Sequence, residues 1–138
     1  MNQHPYLRAY MAGIAIPTMF LLVASTAFTV ARYVCNVPIP IERVIVFPMA
    51  VVPNLWGVWN IIWLASGRRI PIGLFGAILP FLLVPGAWIV TRLVNFPVPA
   101  FVHTVLPFFF PVALAIYYLA WKYLVASLNR IVGVPTAA

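Results

Sequence analysis

Residues 9–31 read AYMAGIAIPTMFLLVASTAFTVA, 23 positions without a formal charge between Arg8 and Arg32. A hydrocarbon core about 30 Å thick takes roughly 20 apolar helical residues, so this run suits one crossing and is too short for two. Three more uncharged intervals follow: 24 residues between Arg43 and Arg68, 22 between Arg69 and Arg92, and 29 between Arg92 and Lys122. Each holds one crossing. The expected fold is therefore an all-α integral membrane protein, with spans at about 10–33, 42–66, 71–94 and 100–127. The last helix is expected to run past Lys122, whose long stem lets its ammonium reach the interface.

Composition points the same way. Of 138 residues, 65% are hydrophobic and 7% charged, against about a quarter charged in an ordinary soluble domain. The deficit is acidic: there is no Asp, and Glu42 is the sole Glu. A net charge of +7 signals nucleic acid only when basic residues share a face. Here they stand one or two at a time between apolar runs, so no nucleic-acid partner is expected.

Four crossings put both termini on one side. That side carries Arg8, Arg68, Arg69, Lys122 and Arg130, and the other carries Arg32, Arg43 and Arg92 with Glu42 beside them. The positive-inside bias then places both termini in the cytoplasm. Short spans with that bias suit a bacterial inner membrane. Ser25 and Ala27 resemble the small pair before a signal-peptide cleavage site. The apolar run is longer than a signal core, however, and its charged lead-in is a single arginine, so the first span is expected to be retained.

The chain also repeats itself. Arg32-Tyr-Val-Cys-Asn36-Val-Pro38-Ile-Pro40, with Pro48 eight residues on, matches Arg92-Leu-Val-Asn95-Phe-Pro97-Val-Pro99, with Pro107 eight residues on, after one gap at Cys35. Phe20-Leu-Leu-Val23 echoes Phe81-Leu-Leu-Val84, and Ala65-Ser-Gly-Arg-Arg69-Ile echoes Ala126-Ser-Leu-Asn-Arg130-Ile. We read two tandem helical hairpins, 1–70 and 71–138, in one membrane domain. Two crossings per unit make the repeats parallel, related by a pseudo-two-fold axis along the membrane normal. The alternating prolines stop one helix, and each Asn serves the turn. Seven further prolines fall inside the spans (Pro17, Pro48, Pro53, Pro80, Pro85, Pro107 and Pro111) and imply either kinked packing or a cavity on the axis.

Little catalytic chemistry is available. One acid excludes paired carboxylates and one Cys excludes an intrachain disulfide, so no enzyme, metal or cofactor is expected. Bound lipid is compatible with this composition. Six residues stand out as candidates for an interface or cavity: Asn54, Trp56, Trp59, Asn60, Glu42 and His103. Glu42 and His103 begin the second helix of their units, where an acid suits the helix dipole and a contact between the two would be proton-sensitive. Trp56, Trp59 and Trp63 recur at helical spacing, with Asn54 and Asn60 beside them. Trp56 is too deep for the headgroup belt and points to a packed helix face, a bound apolar ligand or cofactor, or a cation–π site, whereas Trp63, Tyr117, Tyr118 and Trp121 are expected at the interface. Arg68 and Arg69 fix topology and attract anionic headgroups.

Two functional classes remain. One is a small subunit, assembly or scaffold component that packs against a larger membrane protein or itself. The other is a channel or transporter for a neutral or anionic solute, with its pathway between the repeats.

Overall fold

The computed structural model describes residues 4–38, 51–93, 95, 98 and 100–134. Among them every regular element is helical. Helix α1 spans Pro5–Tyr33 and α2 spans Val52–Ala65. Helices α3, Ile72–Ile78, and α4, Pro80–Leu93, follow one another across a break at Leu79. Helix α5, Ala100–Leu119, runs into a π-helical turn, Ala120–Val125, and then into α6, Ala126–Ile131.

Three helices are long and apolar enough to cross a membrane: Pro5–Tyr33, Ile72–Leu93 and Val102–Ile131. The shortest has 22 residues and is about 33 Å long at 1.5 Å per residue. The fourth expected span is described only over Val52–Ala65, 14 residues, and its first part lies outside the described residues.

The prolines divide into two groups. Pro5 and Pro53 lie in first turns, where the missing N–H has no helical acceptor in any case. Pro80 opens α4 at the break, while Pro17, Pro85, Pro107 and Pro111 lie inside continuous helices. Pro48 lies outside the described residues. The hydroxyls of Ser25, Thr26 and Thr29 donate to carbonyls four residues back, at 2.6, 2.8 and 2.8 Å. A helix in lipid hides its polar side chains in this way.

Burial is lopsided. Buried positions run through Ala9, Ala12, Gly13 and Pro17 of α1 and through Pro53, Trp56, Gly57, Asn60 and Trp63 of α2. They continue from Gly73 to Leu83 and resume at Trp121, Val125 and Asn129. By contrast, α5 has no buried residue among those described, and α1 has none after Pro17. One end of the helices is packed and the other is open.

Glycines set the spacing at the packed end. A Cβ on Gly13 would lie 2.6 Å from the Trp56 carbonyl oxygen and 2.8 Å from the Gly57 Cα, so α1 and α2 touch backbone to backbone. A Cβ on Gly76 would lie 2.0 Å from Cγ of Trp121, so the indole rests directly on α3. Such small-residue contacts let apolar helices gain dispersion energy where lipid removes the hydrophobic drive between them.

Candidate functional site

The tryptophan face of α2 forms the seam of the molecule. Trp56, Trp59 and Trp63 stand at i, i+3 and i+7, a spacing that puts them on one helix face. Trp56 and Trp59 reach the second unit, and Trp63 reaches the turn that leads into it. Trp56 meets Tyr117 at 5.1 Å and Trp121 at 5.3 Å between ring centroids. Trp59 stacks on Phe75 at 4.7 Å and donates its indole N–H to the Phe75 carbonyl at 2.8 Å. Trp63 donates to the Ile70 carbonyl at 2.9 Å.

Below Trp56 lies a polar centre. Asn60 and Asn129 are both 0% exposed and exchange hydrogen bonds: Nδ2 of Asn60 donates to Oδ1 of Asn129 at 2.8 Å, and Nδ2 of Asn129 returns one at 3.1 Å. The other N–H of Asn60 donates to the Ala9 carbonyl at 2.7 Å. Three helices, α1, α2 and α6, are thus tied by one pair of amides. Asn54 is exposed and accepts from the Tyr10 hydroxyl, a second tie between α2 and α1.

Above the amides, Trp56, Leu79, Leu83, Trp121 and Val125 form the apolar core. Trp121 and Val125 are each 0% exposed. The π turn carries both inward while Lys122 stays outside. The indole N–H groups of Trp56 and Trp121 are buried without a protein acceptor.

Two sequence expectations need correction. Trp63 and Trp121 were expected in the headgroup belt, yet they are 2% and 0% exposed. Their depth along the helix suits a belt, but their azimuth turns them inward, and packing at the seam decides. Cation–aromatic pairs occupy the outer surface instead: Lys122 lies 5.4 Å from the ring of half-buried Tyr118 and 5.3 Å from that of exposed Tyr123, and Arg92 lies 5.1 Å from that of Trp88. His103 is exposed and meets Trp88 edge-on at 5.0 Å, far from the amide centre in sequence and on different helices. Glu42, and with it the Glu42–His103 contact, lies outside the described residues. Arg68 and Arg69 occupy the turn after α2, which Gly67 and Arg68 close with left-handed backbone, φ 74 and 59. Cys35 is exposed with a free thiol.

The sequence reading missed Asn129. Its signal was an amide one residue from Arg130, which looked like part of a terminal polar stretch. No group of three metal-ligating side chains occurs among the described residues. Set against protein-family models, curated proteins and solved structures, the chain has no significant match.

Replacing Asn60 with Leu is expected to destabilise the protein by about 1–2 kcal/mol, because the Asn129 amide and the Ala9 carbonyl lose their partner. The check is denaturant unfolding in mild detergent. The double variant Asn60→Leu/Asn129→Leu should unfold more easily than wild type by less than the sum of the single changes. Simple additivity would mean the two amides do not interact.

Proposed function

We propose that the chain is a four-span membrane protein of two tandem parallel hairpins, 1–70 and 71–138, acting without catalysis as a subunit, assembly or scaffold component of a membrane complex. Both termini lie in the cytoplasm, and a bacterial inner membrane suits its charge pattern.

The observation that carries the functional part is how the interior polar groups are used. A solute pathway needs polar atoms facing open space. Here Asn60 bonds to Asn129 and Ala9, Asn54 bonds to Tyr10, and the indoles of Trp59 and Trp63 bond to carbonyls. These groups hold helices together. At the packed end the space between the helices is filled by Trp56, Leu79, Leu83, Trp121 and Val125. The open end, meanwhile, presents Phe20, Val23, Phe81, Ile89, Phe108 and Phe109, each more than half exposed, to lipid or a partner helix.

One further feature supports the duplication: Asn36 and Asn95, which correspond in the repeat, both have left-handed backbone, φ 55 and 49.

The test is gentle extraction of the tagged protein from its own membrane, followed by intact-complex mass spectrometry. A larger membrane protein in fixed stoichiometry is the expected result. A clean monomer or homo-oligomer that conducts solute in liposomes would overturn the subunit reading in favour of transport.

A further inference from the structure

We propose that Arg92, Trp88 and His103 form a binding site for the phosphate of an anionic phospholipid, in the leaflet at the open end of the molecule. The inference rests on the membrane reading above and is independent of the choice between subunit and transporter.

The site joins two helices. Arg92 stands one turn after Trp88 on α4, with its guanidinium carbon 5.1 Å from the centroid of the indole ring. This is within the range of a cation–π contact, which fixes the guanidinium in place. His103, on α5, meets the same indole edge-on, 5.0 Å between centroids at 77°. Arg92 and His103 are exposed, and Trp88 is 39% exposed. The three side chains carry guanidinium, indole and imidazole N–H groups, a donor set suited to phosphate oxygens. Beside them Ile89, Leu93 and Leu106 are 57%, 75% and 37% exposed, an apolar surface for the acyl chains of the same molecule.

Charge complementarity selects an anion. None of the described residues is acidic, and Glu42 is the only carboxylate side chain in the whole sequence. The location selects a lipid, because the site caps the half of the molecule whose apolar residues are exposed.

The repeat supplies an internal comparison. Arg32 corresponds to Arg92, but the counterpart of His103 is Val44. The counterpart of Trp88 is Ala27 or Phe28, depending on where one further gap falls. Neither carries a side-chain N–H. Arg32 lies over the ring of its own neighbour, Tyr33, at 5.6 Å. The Trp–His pair has no equivalent at the corresponding positions of the first unit.

The experiment reconstitutes the protein in phosphatidylcholine nanodiscs containing a minor fraction of phosphatidylglycerol and measures co-purifying lipid by native mass spectrometry. Arg92→Gln is expected to lower phosphatidylglycerol occupancy about fivefold, the factor one cation near a membrane surface contributes. Trp88→Leu should lower it about threefold by releasing the guanidinium. Arg32→Gln should change it less than about twofold. Equal losses in the Arg92 and Arg32 variants would overturn the site, since general surface charge would then explain the binding. Displacement of the lipid by millimolar inorganic phosphate would overturn the lipid assignment in favour of a free-anion site. Failure of the wild-type chain to enter nanodiscs would overturn the membrane reading itself.

Discussion

Trp121→Ala is expected to lower the unfolding free energy by about 3–5 kcal/mol, the range for emptying an aromatic site in a packed core. Trp121 is 0% exposed, lies on the bare backbone of Gly76, meets Trp56 at 5.3 Å and belongs to the cluster of Leu79, Leu83 and Val125. Lipid tails are as apolar as these side chains, so the loss is mainly of dispersion contacts across a void that neighbours cannot close. The unpaired indole N–H removes no hydrogen bond from the sum. Trp88→Ala supplies the contrast: at 39% exposure in the open half, it should cost less than about 1 kcal/mol. Unfolding by denaturant in a mild detergent measures both. Equal effects would mean that the packed end does not carry the stability.

Gly13→Ala is the second large effect, expected to destabilise by about 3 kcal/mol, the upper end of the usual overpacking cost. The added methyl would stand 2.6 Å from the Trp56 carbonyl oxygen and 2.8 Å from the Gly57 Cα. Both are backbone atoms, so no side chain can swing aside and α1 must move away from α2. That movement also strains the Asn60 bond to the Ala9 carbonyl, one turn earlier on α1. Gly86→Ala is the control: nothing lies within 4 Å of its Cβ position. In the interior of α4 the change should be neutral or stabilising by up to about 1 kcal/mol. Thermal unfolding of both variants, followed by circular dichroism, is the check. A Gly13 variant as stable as wild type would remove the close backbone contact from the account.

The helices themselves were legible because charge punctuates this sequence. Arg8 and Arg32 lie in the first and last turns of α1, Arg69 precedes α3 and Arg92 lies in the last turn of α4, with few polar residues between to confuse the reading. Which face of each helix turns inward was not legible. In a soluble protein, hydrophobicity marks the inner face, but in this chain Phe20 and Leu79 are equally apolar, one 72% and the other 0% exposed. Trp63 and Trp121 were misjudged for the same reason: the sequence gives depth along the helix but not azimuth.

The amide centre was half legible. Asn60 stood out because an amide in an apolar run needs a partner. Asn129 did not, because it corresponds in the repeat to Arg68 and looked like a residue of the polar end. The glycine contacts left a weak trace, as Gly73 and Gly76 stand one turn apart. Nothing in the sequence identified Tyr118 and Trp121 as the side chains laid over them. The π turn left no trace, since a shift of hydrogen-bond register changes no residue type.

The most direct test of the central claim, four crossings in two hairpins, is labelling with a membrane-impermeant maleimide in sealed vesicles of known orientation. Cys35 is the chain's only cysteine and is exposed, so the natural protein reports the turn after α1. In a Cys35→Ser background, Ser66→Cys reports the turn after α2, Asn95→Cys the turn after α4, and Ala138→Cys the C-terminus. The account predicts that positions 35 and 95 react from one side and positions 66 and 138 from the other. Labelling of positions 35 and 66 from the same side would mean that the second segment does not cross, and the four-span account would be contradicted.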